Sequence, residues 1–105
     1  MEIKLARPLK INGSDVQILQ CDFDKLTTQD FMAASAESAA QAAAAGGVSL
    51  GAEFDPGFHV ALCIRAIART MPAVDILDIK RITGADILQL QRAGRTFCLG
   101  GLSEG

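Results

Sequence analysis

Glu2-Ile3-Lys4-Leu5-Ala6-Arg7-Pro8-Leu9-Lys10-Ile11, then Asn12-Gly13, then Ser14-Asp15-Val16-Gln17-Ile18-Leu19-Gln20-Cys21-Asp22-Phe23, is the stretch on which the fold turns. Ile3, Leu5, Leu9 and Ile11 fall on one parity and Glu2, Lys4 and Lys10 on the other, the period-2 pattern of a half-buried strand over about 2–11. Arg7 is the one charge on the apolar side. Pro8 removes a ladder donor, so the strand is expected at a sheet edge or bent there. Asn12-Gly13 tolerates the positive φ of a tight hairpin turn. A second strand is expected over about 16–23, where Val16 and Ile18 keep one parity and Leu19, Cys21 and Phe23 the other. A bulge near Ile18-Leu19 would reconcile the two phases.

Beyond the hairpin the pattern turns helical. Thr27 with Asp30, or Thr28 alone, can cap a helix over about 28–45, and nine alanines between Ala33 and Ala45 favour it strongly. Its narrow small-residue face suits either packing within the chain or close approach of another polypeptide. Gly46-Gly47 is a natural stop, and the Gly-rich stretch 46–57 reads as a flexible loop. No Lys-Ser or Lys-Thr follows its glycines, so it is not a phosphate-binding P-loop.

A second helix is expected over about 58–70, with Val60, Ile64, Ile67 and Met71 forming a core-facing stripe and Met71-Pro72 ending it. Residues 74–82 read as a helical turn or irregular segment. A third main helix is expected over about 84–99, opened by a Thr83-x-x-Asp86 cap variant and stopped at Gly100-Gly101. Residues 100–105 are then a flexible tail. The expectation is one α+β domain spanning 1–105, with an N-terminal hairpin and three main helices.

Composition narrows the function. The 105 residues carry a net charge of −2, and their Lys and Arg are scattered rather than drawn into the basic stripe of a nucleic-acid binder. No apolar run approaches the roughly 18 residues of a membrane span, and the N-terminus lacks the uninterrupted apolar core of a signal peptide. Neither nucleic acid nor membrane is therefore an expected partner, and the expected location is the cytoplasm. Cys21, Cys63 and Cys98 are odd in number and form no Cys-x-x-Cys pair, which suits buried thiols better than a disulfide framework.

Catalytic templates fail on residue supply. His59 is the only histidine, which rules out a His-rich metal site within one chain. A Cys63–His59 dyad would share a helix face, but it puts the thiol on the buried stripe without a cation to activate it. Asp22/Asp24 and Glu53/Asp55 sit at element ends, where acids serve turns and caps, and Asp75 and Asp78 could share a helix face but have no third ligand nearby. The expectation is a protein-binding chain without catalytic residues, metal or cofactor.

The order of motifs carries a resemblance. Ile3-x-Leu5-x-x-Pro8-Leu9-x-Ile11-x-Gly13, then Val16-x-Ile18-Leu19 and Leu26-Thr27-x-x-Asp30, looks like the tail assembly chaperones of Mu-like contractile-tailed phages. So do Ala68-Arg69-Thr70 and Ile82-Thr83-Gly84-Ala85-Asp86-Ile87-Leu88-Gln89-Leu90. The resemblance covers most of the chain as a pattern. Its more specific parts are the hairpin and the start of the last helix. The stretch 46–57 is longer and more Gly-rich than the family pattern, so nothing is carried over residue by residue between the first two helices.

The resemblance implies an N-terminal hairpin with a helical C-terminal half. It also implies a chaperone that coats the long, aggregation-prone tape measure protein in the bacterial host cytoplasm until tail tube protein replaces it. Some relatives also exist in a longer frameshifted form. The expected client contacts are Phe31 on the Ala-rich helix and Ile87, Leu90 and Phe97 on the last helix, and a homo-oligomer is compatible with such faces. The competing readings are a small structural component of the phage tail and a regulatory protein-binding domain.

Overall fold

The computed structural model describes residues 1–44 and 55–104. It is an α+β arrangement in which an antiparallel hairpin lies against a set of helices. Strand β1 spans Glu2–Ile11 and β2 spans Ser14–Gln20. Asn12 and Gly13 take φ of 53° and 82°, the paired positive values that a two-residue hairpin turn requires.

The bulge lies in the first strand rather than near Ile18-Leu19. Pairing runs Ile11↔Ser14, Lys10↔Asp15 and Leu9↔Val16, then jumps to Lys4↔Ile18, Ile3↔Leu19 and Glu2↔Gln20. Leu5 to Pro8 therefore stand opposite Gln17 alone. Pro8 has no N–H to give to a ladder, so the surplus chain collects beside it. The extra residues swing Arg7 into solvent while Ile3, Leu5, Leu9 and Ile11 all stay buried. Across the sheet, the phase of β2 changes at Gln17: Val16 and Leu19 face inward and Ile18 is exposed.

The second strand stops at Gln20, earlier than expected. Met1 and Cys21 then exchange main-chain bonds of 2.8 and 2.9 Å, and Phe23–Lys25 forms a 3-10 turn capped by Asp22.

Helix α1 covers Thr28–Ala44. Its start is a reciprocal capping box: the Asp30 N–H donates to Thr27 Oγ1 at 3.2 Å, and the Thr27 N–H donates to Asp30 Oδ2 at 3.0 Å. Helix α2 covers Pro56–Thr70, beginning two residues before the expected position. Asp55 accepts from the Gly57 and Phe58 N–H groups, and Pro56 at the first helical position has no N–H to leave unpaired. Of the loop expected over 46–57, residues 46–54 lie outside the described residues, and Pro56 and Gly57 belong to α2.

Helix α3 is the short Ile76–Ile79, opened by an Asp75/Asp78 capping box. Helix α4 covers Ala85–Glu104 and follows Gly84 at φ 66°. It continues through Gly100-Gly101, where it was expected to stop, as far as Glu104. Gly100 stays helical instead of adopting the left-handed conformation through which glycine ends a helix.

Helix α2 is the axis of the packing. Phe58, His59, Ala61, Leu62, Cys63, Ile64, Ala66 and Ile67 are buried, and the helix touches β2, the 3-10 turn, α1, α3 and α4. The main core lies between the hairpin, α2 and α4, and a smaller cluster of Ala34, Phe58, Ala61 and Leu62 lies beneath α1. Gly94 permits the closest crossing: a Cβ there would collide with the His59 carbonyl, so α4 reaches α2 at backbone contact only because position 94 has no side chain.

Candidate protein-binding surface

The N-terminus of α4 seals the outer edge of β1. The Ala6 and Arg7 N–H groups, freed by the bulge, donate to Asp86 Oδ1 and Oδ2 at 2.8 and 3.0 Å. Gln89 Nε2 donates to the Lys4 carbonyl at 2.7 Å and to Asp86 Oδ1 at 2.8 Å. Those two main-chain bonds, ahead of its Gln89 contact, hold the Asp86 carboxyl below the usual carboxylate range. Asp86 was expected to cap its own helix. It caps the bulge instead, because backbone donors left over from a strand need an acceptor as much as a helix end does.

The four expected contact residues divide. Phe31, Ile87 and Phe97 are 44%, 42% and 40% exposed, large for apolar side chains on a packed helix, whereas Leu90 is 2% exposed and belongs to the core. Leu90 is thus corrected from a surface contact to a structural residue: one turn after Asp86 it points from α4 into the main cluster.

Nor do the remaining three share one face. Ile87 borders a groove of about 410 Å³ floored by Ile64, Ile79, Ile82 and Leu90, with Glu37 and Lys80 at its rim. Phe97 borders a groove of about 430 Å³ running between the start of β1 and α4, past Ile3, Phe23, Arg92 and Ala93. Phe97 also reaches a recess of about 280 Å³ where Phe31, Leu26 and Leu62 lie. Phe23 and Phe97 line both of these spaces. They stack with ring centroids 4.7 Å apart and planes 9° from parallel, so the two spaces meet around one aromatic pair. Phe31 packs edge-on against Phe58 at 4.9 Å.

Sequence reasoning missed Phe23, which it assigned to a strand, and also Met32 and Leu88, both exposed. The signal for Phe23 was Asp22-Phe23-Asp24: acids on either side of an aromatic suit a turn better than a strand interior.

Ion pairs fix the helices around these grooves. Arg69 Nε and Nη2 donate to the two Asp30 oxygens at 2.9 and 3.1 Å, and Arg65 stands 4.0 Å from Asp30 and 3.8 Å from Glu37. Lys80 pairs with Glu37 at 2.8 Å. The Arg69 guanidinium, with the Thr27 bonds, holds the Asp30 carboxyl low.

His59 and Cys63 do not form a reactive pair. His59 is buried beside Phe58, and the nearest thiol to Cys63 Sγ is that of Cys21, at 4.0 Å in the core. The Cys21 sulfur and burial together push the Cys63 thiol up, away from a nucleophilic thiolate. Asp22, Asp55 and Asp75 each accept main-chain bonds as caps, and Asp55 also accepts from Ser38 Oγ at 2.7 Å. Among the described residues no group of three or more His, Cys, Asp or Glu could hold a metal ion, and no helix is long and apolar enough to cross a membrane.

No protein-family model, curated protein or solved structure matches the chain.

Proposed function

We propose that this chain is a non-enzymatic, protein-binding chaperone of phage tail assembly, which holds the tape measure protein until tail tube protein replaces it. The supporting observation is the confluent pair of grooves around the Phe23–Phe97 stack, one of them also lined by the partly exposed Phe31. Scattered apolar residues are normal on a protein surface, but aromatic side chains gathered around open grooves mark a face that another polypeptide covers. The motif order from Ile3 to Asp30 and from Ile82 to Leu90 selects the kind of partner.

The test is co-expression with a tape measure protein encoded in the same genome. The expected result is a soluble complex that this chain rescues from aggregation, together with absence of the chain from purified virions. Stoichiometric retention in virions would instead make it a structural tail component. An insoluble tape measure protein, unchanged by co-expression, would overturn the chaperone reading.

A further inference from the structure

Two of the three cysteines meet in the core. Cys21 and Cys63 are 1% and 0% exposed, both belong to the main cluster, and their Sγ atoms lie 4.0 Å apart. Cys98 packs against the smaller cluster and is no part of the pair. A disulfide needs an S–S separation of about 2.0 Å, which side-chain rotation can supply only where the backbone already holds two thiols together.

The backbone does so here. Three successive residues at the end of β2 are tied down: the Gln20 N–H donates to Met71 Sδ at 3.2 Å, Cys21 exchanges main-chain bonds with Met1, and the Asp22 N–H donates to Thr70 Oγ1 at 2.8 Å. Thr70 and Met71 close the same helix that carries Cys63. Cys21 is therefore fastened to α2 on both sides of its own position, and the contact between the sulfurs is built into the docking of hairpin on helix.

The two sulfurs are not equivalent. The Cys21 sulfur and burial raise the Cys63 thiol, whereas the hydrogen bond from Cys63 lowers that of Cys21, so Cys21 ionises first. Cys21 also stands at the last rung of the hairpin, and sheet ends open more often than the middle of a packed helix, where Cys63 lies. Access and ionisation favour the same atom.

We infer that Cys21 and Cys63 form an oxidative modification site, a dithiol that a hydroperoxide converts to an intramolecular disulfide within the intact fold. The Cys21 thiolate attacks one peroxide oxygen, the O–O bond breaks, and the departing hydroxide takes up a proton as water. The Cys63 sulfur then attacks the sulfenic sulfur of Cys21, and its proton leaves with the hydroxyl as a second water. Two thiols are oxidised as one hydrogen peroxide is reduced. The bond ties the end of β2 to α2 and closes a loop that carries α1. This site is independent of the chaperone reading.

Hydrogen peroxide added to the wild-type chain and to Cys98→Ala tests it, followed by unfolding, alkylation and peptide mass mapping without reductant. The expected product is a monomer lighter by two hydrogens, with the Cys21 and Cys63 peptides linked and the circular dichroism spectrum kept. Its thermal midpoint should exceed that of the dithiothreitol-reduced chain by on the order of 5 °C, because the cross-link restricts the unfolded chain. In Cys63→Ala the sulfenic acid at Cys21 should persist and be trapped by dimedone, and in Cys21→Ala the Cys63 thiol should stay reduced. Full alkylation of both sulfurs after peroxide overturns the inference, as does linkage between chains instead of within one. A linked product that has lost its spectrum, or that melts no higher than the reduced chain, overturns it too, since the bond would then not fit the fold. The mapping decides the matter even where an alanine variant fails to fold.

Discussion

Helices α1 and α2 are neighbours of similar length held in the fold by opposite means. Helix α2 buries Phe58, Leu62, Ile64, Ile67 and others around most of its circumference. In the part of α1 from Thr28 to Ala40, the buried residues are Asp30, Ala34 and Ser38, a single line at four-residue spacing, and two of them are polar. What fastens α1 is chemistry at its ends and middle: Asp30 to Arg69, Glu37 to Lys80, Ser38 to Asp55, and the Phe31 ring against Phe58. An alanine helix forms readily by propensity but buries little area per residue. Polar anchors therefore set where it lies, and its outer face, with Met32, is left unfilled.

The largest expected effect comes from placing a valine on each side of this comparison. Gly94→Val drives a side chain into the α2 backbone at His59 and should cost on the order of 3 kcal/mol or prevent folding. Ala40→Val, on the exposed side of α1, should cost no more than about 0.6 kcal/mol, the propensity difference alone. Urea midpoints of the two variants measure the contrast, and equal losses would break it. Next in size, Ile67→Ala removes a fully buried side chain from α2 and should cost about 3 kcal/mol. Leu90→Asp belongs with these core changes: it puts a carboxylate in the main cluster and should unfold the chain, so it cannot report on client binding.

The same contrast explains what could be read from the sequence. The hairpin was legible because Asn12-Gly13 and the alternation of Ile3, Leu5, Leu9 and Ile11 are local signals with one solution. The Thr27–Asp30 cap and the proline stop after Met71 were legible for the same reason. The position of the bulge was not, because the acceptor that makes it favourable, Asp86, lies 79 residues beyond Arg7 in the chain. The depth of Leu90 was equally hidden. Ile87, Leu90 and Phe97 form a continuous helical pattern, and only the docking of α4 through Gly94 decides which members of it point inward. Part of the surface could be named as apolar, but that the Phe23–Phe97 stack joins two grooves is a tertiary fact.

Acid should loosen α1 before α2. Asp30 is held low first by Arg69 and Asp86 first by the Ala6 and Arg7 N–H groups, so each carboxyl has a folded pKa below its unfolded value. Groups shifted in that direction contribute fully above the unfolded value of about 3.9, and lose the contribution as pH falls through the depressed folded value. Stability should therefore change little from neutrality down to about pH 5 on account of these groups and decline below about pH 4. Hydrogen exchange should show the loss first in α1, which depends on Asp30, while the amides of α2 stay protected by apolar burial. Asp30→Asn should reproduce the early exchange of α1 at neutral pH and flatten the acid decline. Simultaneous loss of protection in both helices would show that α1 is not separately anchored.

The smallest stability effect carries the most information about function. Met32 is 65% exposed on the outer side of α1, so Met32→Gln should leave the urea midpoint within about 0.5 kcal/mol of wild type. If α1 is left unfilled in order to be covered, this near-silent change should still lower retention of the tape measure protein, and Phe97→Ser should lower it further by opening the aromatic stack. Loss from Phe97→Ser with full retention by Met32→Gln would confine the contact to the α4 side. The alanines of α1 would then be a scaffold for Phe31 and the ion pairs rather than a second binding face.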